Sequence, residues 1–238
     1  MLVSAAIYAP LMLPTAVLPF PRRYHLIRQW ARLQVFLLKM ICGIDYHVEG
    51  RALLPKGAAI IMSKHQSAWE TIAFQEIFPP QTWVLKRELI WIPLFGWALA
   101  LTRPIAIDRG AGRQAIEQVI EQGQERLQSG IWVVVFPEGT RVAPGTRRRF
   151  GIGGAVLAAE TGYPVVPVAH NAGSYWPRRG FLKRPGTVRV VIGPAIDSHG
   201  KSADEIRRLA EVWIENTMAD LEGRPAGIPP TNSGNVQA

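Results

Sequence analysis

The chain has 238 residues, 48% of them apolar, enough for one α/β domain with a sizeable core. A formal net charge of +9 favours an anionic partner, while charged residues make up only 19%, a low share for a freely soluble enzyme. The single cysteine, Cys42, excludes an internal disulfide and any paired-cysteine site.

Residues 1–20 carry no charge, and prolines at 10, 14, 19 and 21 interrupt the stretch. A straight membrane-spanning helix needs roughly 20 apolar residues without such breaks. The first cation, Arg22, follows the apolar run, the reverse of a secretory signal. The expectation is a bent anchor that dips into a bilayer or marginally spans it. From residue 22 to 41 the pattern is helical. His25, Arg28, Arg32 and Lys39 share one stripe, with Leu26, Trp30, Leu33, Leu37 and Ile41 opposite. No acidic residue precedes Asp45. Such a helix beside an apolar segment reads as binding a phospholipid surface; the alternative is a core helix with a solvated basic face.

Residues 1–44 are therefore assigned to an anchoring segment and residues 45–222 to one α/β domain. Residues 223–238, rich in Gly, Pro, Asn and Ser, read as a disordered tail. Strands are expected at 46–49, 58–62, 82–85, 105–107, 132–136, 165–169 and 187–192. Helices are expected at 70–77, 88–101, 113–127, 153–161 and 203–221. In 113–127 the residues Ile116, Val119, Ile120 and Leu127 face inward. The alternation predicts an α/β fold with a largely parallel central sheet flanked by helices.

Four segments stand where a strand ends. The first is Ser63-Lys64-His65-Gln66-Ser67-Ala68-Trp69-Glu70. Four residues separate His65 from Glu70, a spacing that can set a carboxylate against one imidazole nitrogen and leave the other to take a proton. Ser67 and Glu70 also form a capping-box pattern, so Glu70 has two readings, orienting carboxylate or helix cap. The second segment is Phe136-Pro137-Glu138-Gly139-Thr140-Arg141. Gly139 allows close backbone approach, and Thr140 and Arg141 offer donors suited to phosphate oxygens, although the same residues make an ordinary turn. The third ends in Asp108-Arg109, which in isolation reads as a surface pair. The fourth, Pro164 to Asn171, suggests a pocket wall, with His170 as a structural histidine.

Together, in this order, the segments resemble the glycerophospholipid acyltransferase family, above all its bacterial lysophosphatidic acid members, from about residue 50 to 194. His65 matches the family's histidine, and Glu70 stands where the family has Asp. Gly96 and residues 105–109 are similar to the second motif, Phe136 to Arg141 to the third, and Val166-Pro167-Val168 to the fourth. Phe150-Gly151 stands near a Phe-Lys of the family, and Arg147, Arg148 and Arg149 are candidates for that charge. The resemblance implies acyl transfer from acyl-CoA or acyl carrier protein to the sn-2 hydroxyl of lysophosphatidic acid. It implies His65 as base, Glu70 as its orienting partner, and Arg109 and Arg141 on the acceptor's phosphate. Glu138, Gly139 and Thr140 would line the glycerol site. It implies no cofactor, no metal, and a place at the cytoplasmic face of a bacterial inner membrane. The tryptophans at 69, 83, 91 and 97 are candidates for an acyl-chain tunnel, or for core or membrane-facing positions. Another lysolipid acceptor and a non-catalytic lipid-binding role stay open as rivals. No nucleic-acid motif is present, so no nucleic-acid partner is expected.

Overall fold

The computed structural model describes residues 2–224, apart from the side chains of Leu2, Val3, Ala6 and Arg109. Most of the expected tail therefore lies outside the described residues.

Seven strands form one sheet: β1 Ile44–Glu49, β2 Ile60–Ser63, β3 Gln81–Lys86, β4 Ile105–Ile107, β5 Trp132–Val135, β6 Val165–His170 and β7 Gly186–Ile192. Their order is β1-β7-β6-β2-β5-β3-β4. Every neighbouring pair is parallel except β6 and β7. The central strands β2, β5 and β6 are wholly buried, which is why they read as unbroken apolar runs.

Side-chain alternation divides the core between the two sheet faces. Ile61, Val134, Val166 and Val168 pack with α2 Phe20–Cys42 and α3 Trp69–Ile77 through Val35, Leu38, Trp69 and Phe74. Ile60, Met62, Val133 and Val165 pack on the other face. There they meet α5 Arg113–Gln128, α6 Gly153–Thr161 and α8 Ala203–Leu221 through Val119, Leu157, Ile206 and Ile214. In α5, Val119 and Leu127 are buried as expected, whereas Ile116 and Ile120 are half-buried.

Three helices complete the fold: α1 Leu2–Met12, α4 Phe95–Ala100 and α7 Ala172–Tyr175. The helix expected over 88–101 is divided. Arg87–Trp91 is a 3-10 turn, and Pro93 and Leu94 (φ 62°) separate it from α4. Prolines also shape the N-terminus, where α1 gives way to a 3-10 turn at Leu13–Val17 and an extended Pro19 starts α2. No helix among the described residues is long and apolar enough to cross a membrane.

α2 has three faces where the sequence suggested two. Tyr24, Ile27, Ala31, Gln34, Val35 and Leu38 are buried against the domain. Leu26, Leu33, Phe36, Met40 and Ile41 are exposed. The basic stripe runs between them and partly pairs with the domain: Arg28 Nη2 donates to the Glu76 carbonyl (2.8 Å), and Lys39 Nζ lies 2.7 Å from Asp45. Of the apolar residues assigned to the face opposite the cations, Trp30 packs against the core, whereas Leu26, Leu33 and Ile41 are exposed.

Candidate active site

Between the end of β2 and the start of α3, residues 64–68 form a turn at the carboxyl edge of the parallel strands, where open α/β sheets bind ligands. His65 is fixed there from several directions. Its N–H donates to Glu138 Oε2 (2.9 Å), and its carbonyl accepts from the Val142 N–H (2.8 Å). Its ring stacks on Phe136, with centroids 4.0 Å apart and planes 14° from parallel. Nδ1 lies 2.8 Å from Glu70 Oε1, while the side chain keeps 14% exposure and can be reached.

Glu70 answers to both of its sequence readings. The same Oε1 also accepts from the Gln66 N–H (2.9 Å) and the Ser67 N–H (2.8 Å). The Ser67 contact is the carboxylate half of a capping box, and Ser67 Oγ in turn accepts from the Trp69 N–H (3.1 Å). Burial opposes ionisation of Glu70, but the imidazoles of His170 and His65 and the donated hydrogen bonds outweigh it and hold the carboxyl below its usual value. Burial also lowers the proton affinity of the His170 ring. An anionic acceptor at Nδ1 places the imidazole proton there and leaves the Nε2 lone pair to accept one.

The turn after β5 supplies the other wall. The Gly139 N–H donates to the Phe136 carbonyl (3.0 Å), and Gly139 takes a left-handed φ of 70°, which suits a residue without Cβ. Thr140 and Arg141 follow, both half-buried. The Arg141 carbonyl accepts from Arg178 (2.8 Å), and Arg141 Nε is buried with no hydrogen-bond partner among the described residues. A buried cationic donor left open in this way is suited to an oxyanion such as phosphate.

Glu138 is a correction. The sequence placed it along the glycerol site, but its side chain turns inward, 2% exposed, onto the His65 N–H and onto Lys64 Nζ at 2.6 Å. Burial pushes its carboxyl up to about 7 against the pull of Lys64. Arg109 stands at the end of β4, at the same edge of the sheet as the β2 and β5 ends; its side chain lies outside the described residues. Trp69 and Trp83 are core, whereas Trp91 and Trp97 are exposed, so the four do not share a tunnel. Arg147 pairs with Glu215 at 3.3 Å, while Arg148 and Arg149 are exposed.

The turn is also held from behind, by the histidine that the sequence marked as structural and by two residues of the Glu138 turn. His170 is fully buried, and its Nε2 donates to the Lys64 carbonyl (2.9 Å). Phe136 and Val142 position the His65 ring and backbone, yet only their place beside Glu138-Gly139 hinted at it.

Comparison with known proteins decides the family. The model of the Acyltransferase family matches residues 45–171, which contain β2 to β6, all but the first residue of β1 and the whole His65 turn. The chain belongs to the Acyltransferase family. It is 47% identical over 209 residues to the 1-acyl-sn-glycerol-3-phosphate acyltransferase of Pseudomonas aeruginosa, covering 86% of this chain and 81% of that protein. It is 31% identical over 204 residues to the enzyme of that name from Saccharomyces cerevisiae, covering 82% of this chain and 66% of the yeast protein. The crystal structure of the 1-acyl-sn-glycerophosphate (LPA) acyltransferase PlsC from Thermotoga maritima superposes with a TM-score of 0.76 at 23% identity, covering 94% of this chain and 92% of that one. The chain is an acyltransferase enzyme.

Proposed function

We propose that the enzyme transfers a fatty acyl group from a thioester to the sn-2 hydroxyl of 1-acyl-sn-glycerol-3-phosphate (lysophosphatidic acid), giving phosphatidic acid for membrane phospholipid synthesis. The observation that carries this reading is the His65–Glu70 pair beside the open Nε of Arg141, in a chain 47% identical to the Pseudomonas protein. His65 Nε2 takes the hydroxyl proton as the oxygen attacks the thioester carbonyl carbon. The tetrahedral adduct collapses by breaking the carbon–sulfur bond, and the departing thiolate recovers the proton from His65. The ester and a free thiol result, with no net proton change. Arg141 and Arg109 hold the acceptor's phosphate, and Gly139 and Thr140 lie along its glycerol. The thioester, acyl-CoA or acyl carrier protein, carries its own leaving group, so the chemistry asks for no resident cofactor or metal.

The acceptor is a membrane lipid, and the surface supports docking on a bilayer at its cytoplasmic face. Met40 and Ile41 at the end of α2 are 65% and 77% exposed, and Trp91 is 76% exposed. Ile7 and Leu11 on α1, and Phe95 and Trp97 on α4, which packs on α1, extend the exposed apolar surface. Single exposed apolar residues are ordinary, but a patch built by several elements beside a basic stripe suits an anionic lipid surface.

Thiol release measured with lysophosphatidic acid, other lysophospholipids, a lyso-ornithine lipid and monoacylglycerol tests the assignment. Lysophosphatidic acid is the expected preferred acceptor, His65→Ala loses transfer with its melting temperature kept, and Arg141→Ala raises KM for that acceptor. Preference for phosphate-free monoacylglycerol overturns the role given to Arg141.

A further inference from the structure

The two residues flanking His65 are both held by one helix that lies outside the segment matched by the family model. Lys64 Nζ is 2.8 Å from Glu215 Oε1 of α8 and 2.6 Å from Glu138 Oε1, and Lys64 is 1% exposed. Gln66 Nε2 donates to Glu222 Oε1 (3.1 Å), and Gln66 Oε1 accepts from the Gly173 N–H (3.3 Å). Glu215 lies inside α8 and Glu222 at its C-cap, seven positions on, two turns along the same face. Both carboxylates also reach the loop that follows Arg141. Glu215 Oε2 meets Arg147 Nε (3.3 Å), and Glu222 accepts from the Gly145 N–H (3.2 and 3.1 Å) and from Arg224 Nε (2.8 Å).

We propose that α8 is a positioning helix for the catalytic histidine: Glu215 and Glu222 clamp Lys64 and Gln66 and thereby set the imidazole against Glu70 and against the Arg141 loop. The inference rests on the reading of His65 as the base.

The physical case has three parts. First, a buried lysine that must be neutralised takes carboxylates from two different elements, β5's turn and α8, so its position is over-determined by both. Second, the carbonyl end of Lys64 is fixed by His170 and its ammonium end by Glu215 and Glu138, leaving the residue before His65 no freedom to slide. Third, Glu70 Oε1 is shared among His65, Gln66 and Ser67, so a shift of Gln66 is felt directly at the imidazole's partner. Rate falls steeply with small misplacements of a reacting group, about a hundredfold for 1 Å in favourable cases.

The test compares His65→Ala, Glu222→Ala, Glu215→Gln and Asn216→Ala on the exposed face of α8. It measures melting temperature, kcat and KM for lysophosphatidic acid. Glu222→Ala, near the end of the helix, is expected to keep its melting temperature within a few degrees and its KM within about twofold. Its kcat falls about tenfold or more, a loss confined to the chemical step. Glu215→Gln shows the same split; if it fails to fold, Glu222→Ala decides alone. Asn216→Ala behaves as wild type. If His65→Ala retains turnover, the base assignment itself has failed. If His65→Ala is inactive while Glu222→Ala and Glu215→Gln keep the wild-type kcat, the clamp is wrong and the base assignment stands. A lowered melting temperature with unchanged kcat also overturns the clamp.

Discussion

Replacing Glu70 by glutamine, aspartate and alanine separates its two tasks, capping α3 and orienting His65. Its Oε1 takes two backbone N–H groups and the imidazole Nδ1 at 2.8–2.9 Å inside a fully buried site. Glutamine retains an oxygen for the Gln66 and Ser67 donors, so the cap survives and stability changes little. It loses the anion that stabilises the imidazolium, and its NH2 competes to face Nδ1. If the tautomer is kept, replacing a charge-assisted hydrogen bond by a neutral one costs about 1–2 kcal/mol, roughly a tenfold fall in kcat. If the amide turns and the wrong nitrogen carries the proton, the whole general-base contribution of about 10²–10⁴ is lost. Alanine strands both buried N–H groups at about 1–3 kcal/mol each, partly offset by removing a buried carboxylate. A net loss of about 2–4 kcal/mol lowers the melting temperature of a chain this size by about 5–15 °C. Aspartate keeps the charge and much of the activity. The assay is thiol release from a long-chain acyl thioester with lysophosphatidic acid, beside thermal unfolding of the same preparations. Glutamine at wild-type kcat would refute the orienting role and leave Glu70 as a cap.

Three further outcomes follow from other parts of the molecule. Glu138, raised to about 7 by burial, binds a proton in the folded state where the unfolded carboxyl has released it. Stability should therefore fall as pH rises from about 4.5 through 7 and level off above; Glu138→Gln should flatten that slope in thermal melts across pH. Met40→Glu with Trp91→Glu changes two exposed side chains, 65% and 76% accessible, and should abolish sedimentation with phosphatidylglycerol vesicles while preserving turnover of detergent-dispersed acceptor. At Gly96 a Cβ would come 2.1 Å from the Ile90 carbonyl oxygen, a backbone atom with little room to yield. Gly96→Ala should loosen residues 87–101 and speed tryptic cleavage at Lys86 and Arg87.

How much of this was legible in the sequence depends on the distance over which each feature is encoded. β2, β5 and β6 are buried on both faces and announce themselves as local Ile and Val runs. His65 and Glu70 sit within one turn, so their spacing carries their contact. α2 was half legible, because a helix with a buried face and an exposed apolar face has two apolar stripes, and a single-stripe reading selects one of them. The break between Arg87–Trp91 and α4 was hidden because the apolar content continues through Pro93, the one residue that signals the division. Glu138 was placed correctly in the chain and wrongly in space: its neighbour Gly139 makes a site-facing turn, but only the buried Lys64 determines which way the carboxylate points. The tie from Lys64 to Glu215 spans 151 positions and leaves no periodic trace at either end.

Glu70 also explains why a longer carboxylate can stand where the family has Asp. A glutamate three residues into a helix start has the reach to turn back on the preceding N–H groups, and the capping box depends on that reach. Here the reach ends at Ser67 and Gln66, which brings the same oxygen within 2.8 Å of Nδ1. One atom thus begins α3 and selects the imidazole tautomer. With His65 as the proposed base, stability and catalysis should be coupled: a change that frays the first turn of α3 releases Gln66 and Ser67, moves Oε1, and should lower activity before the protein unfolds. Lys64 and Gln66, tied to α8, oppose that fraying from the other side. The turn between β2 and α3 is accordingly held by the helix that follows it, by β5's turn and by α8, and this over-determination lets a half-buried histidine keep one ring orientation.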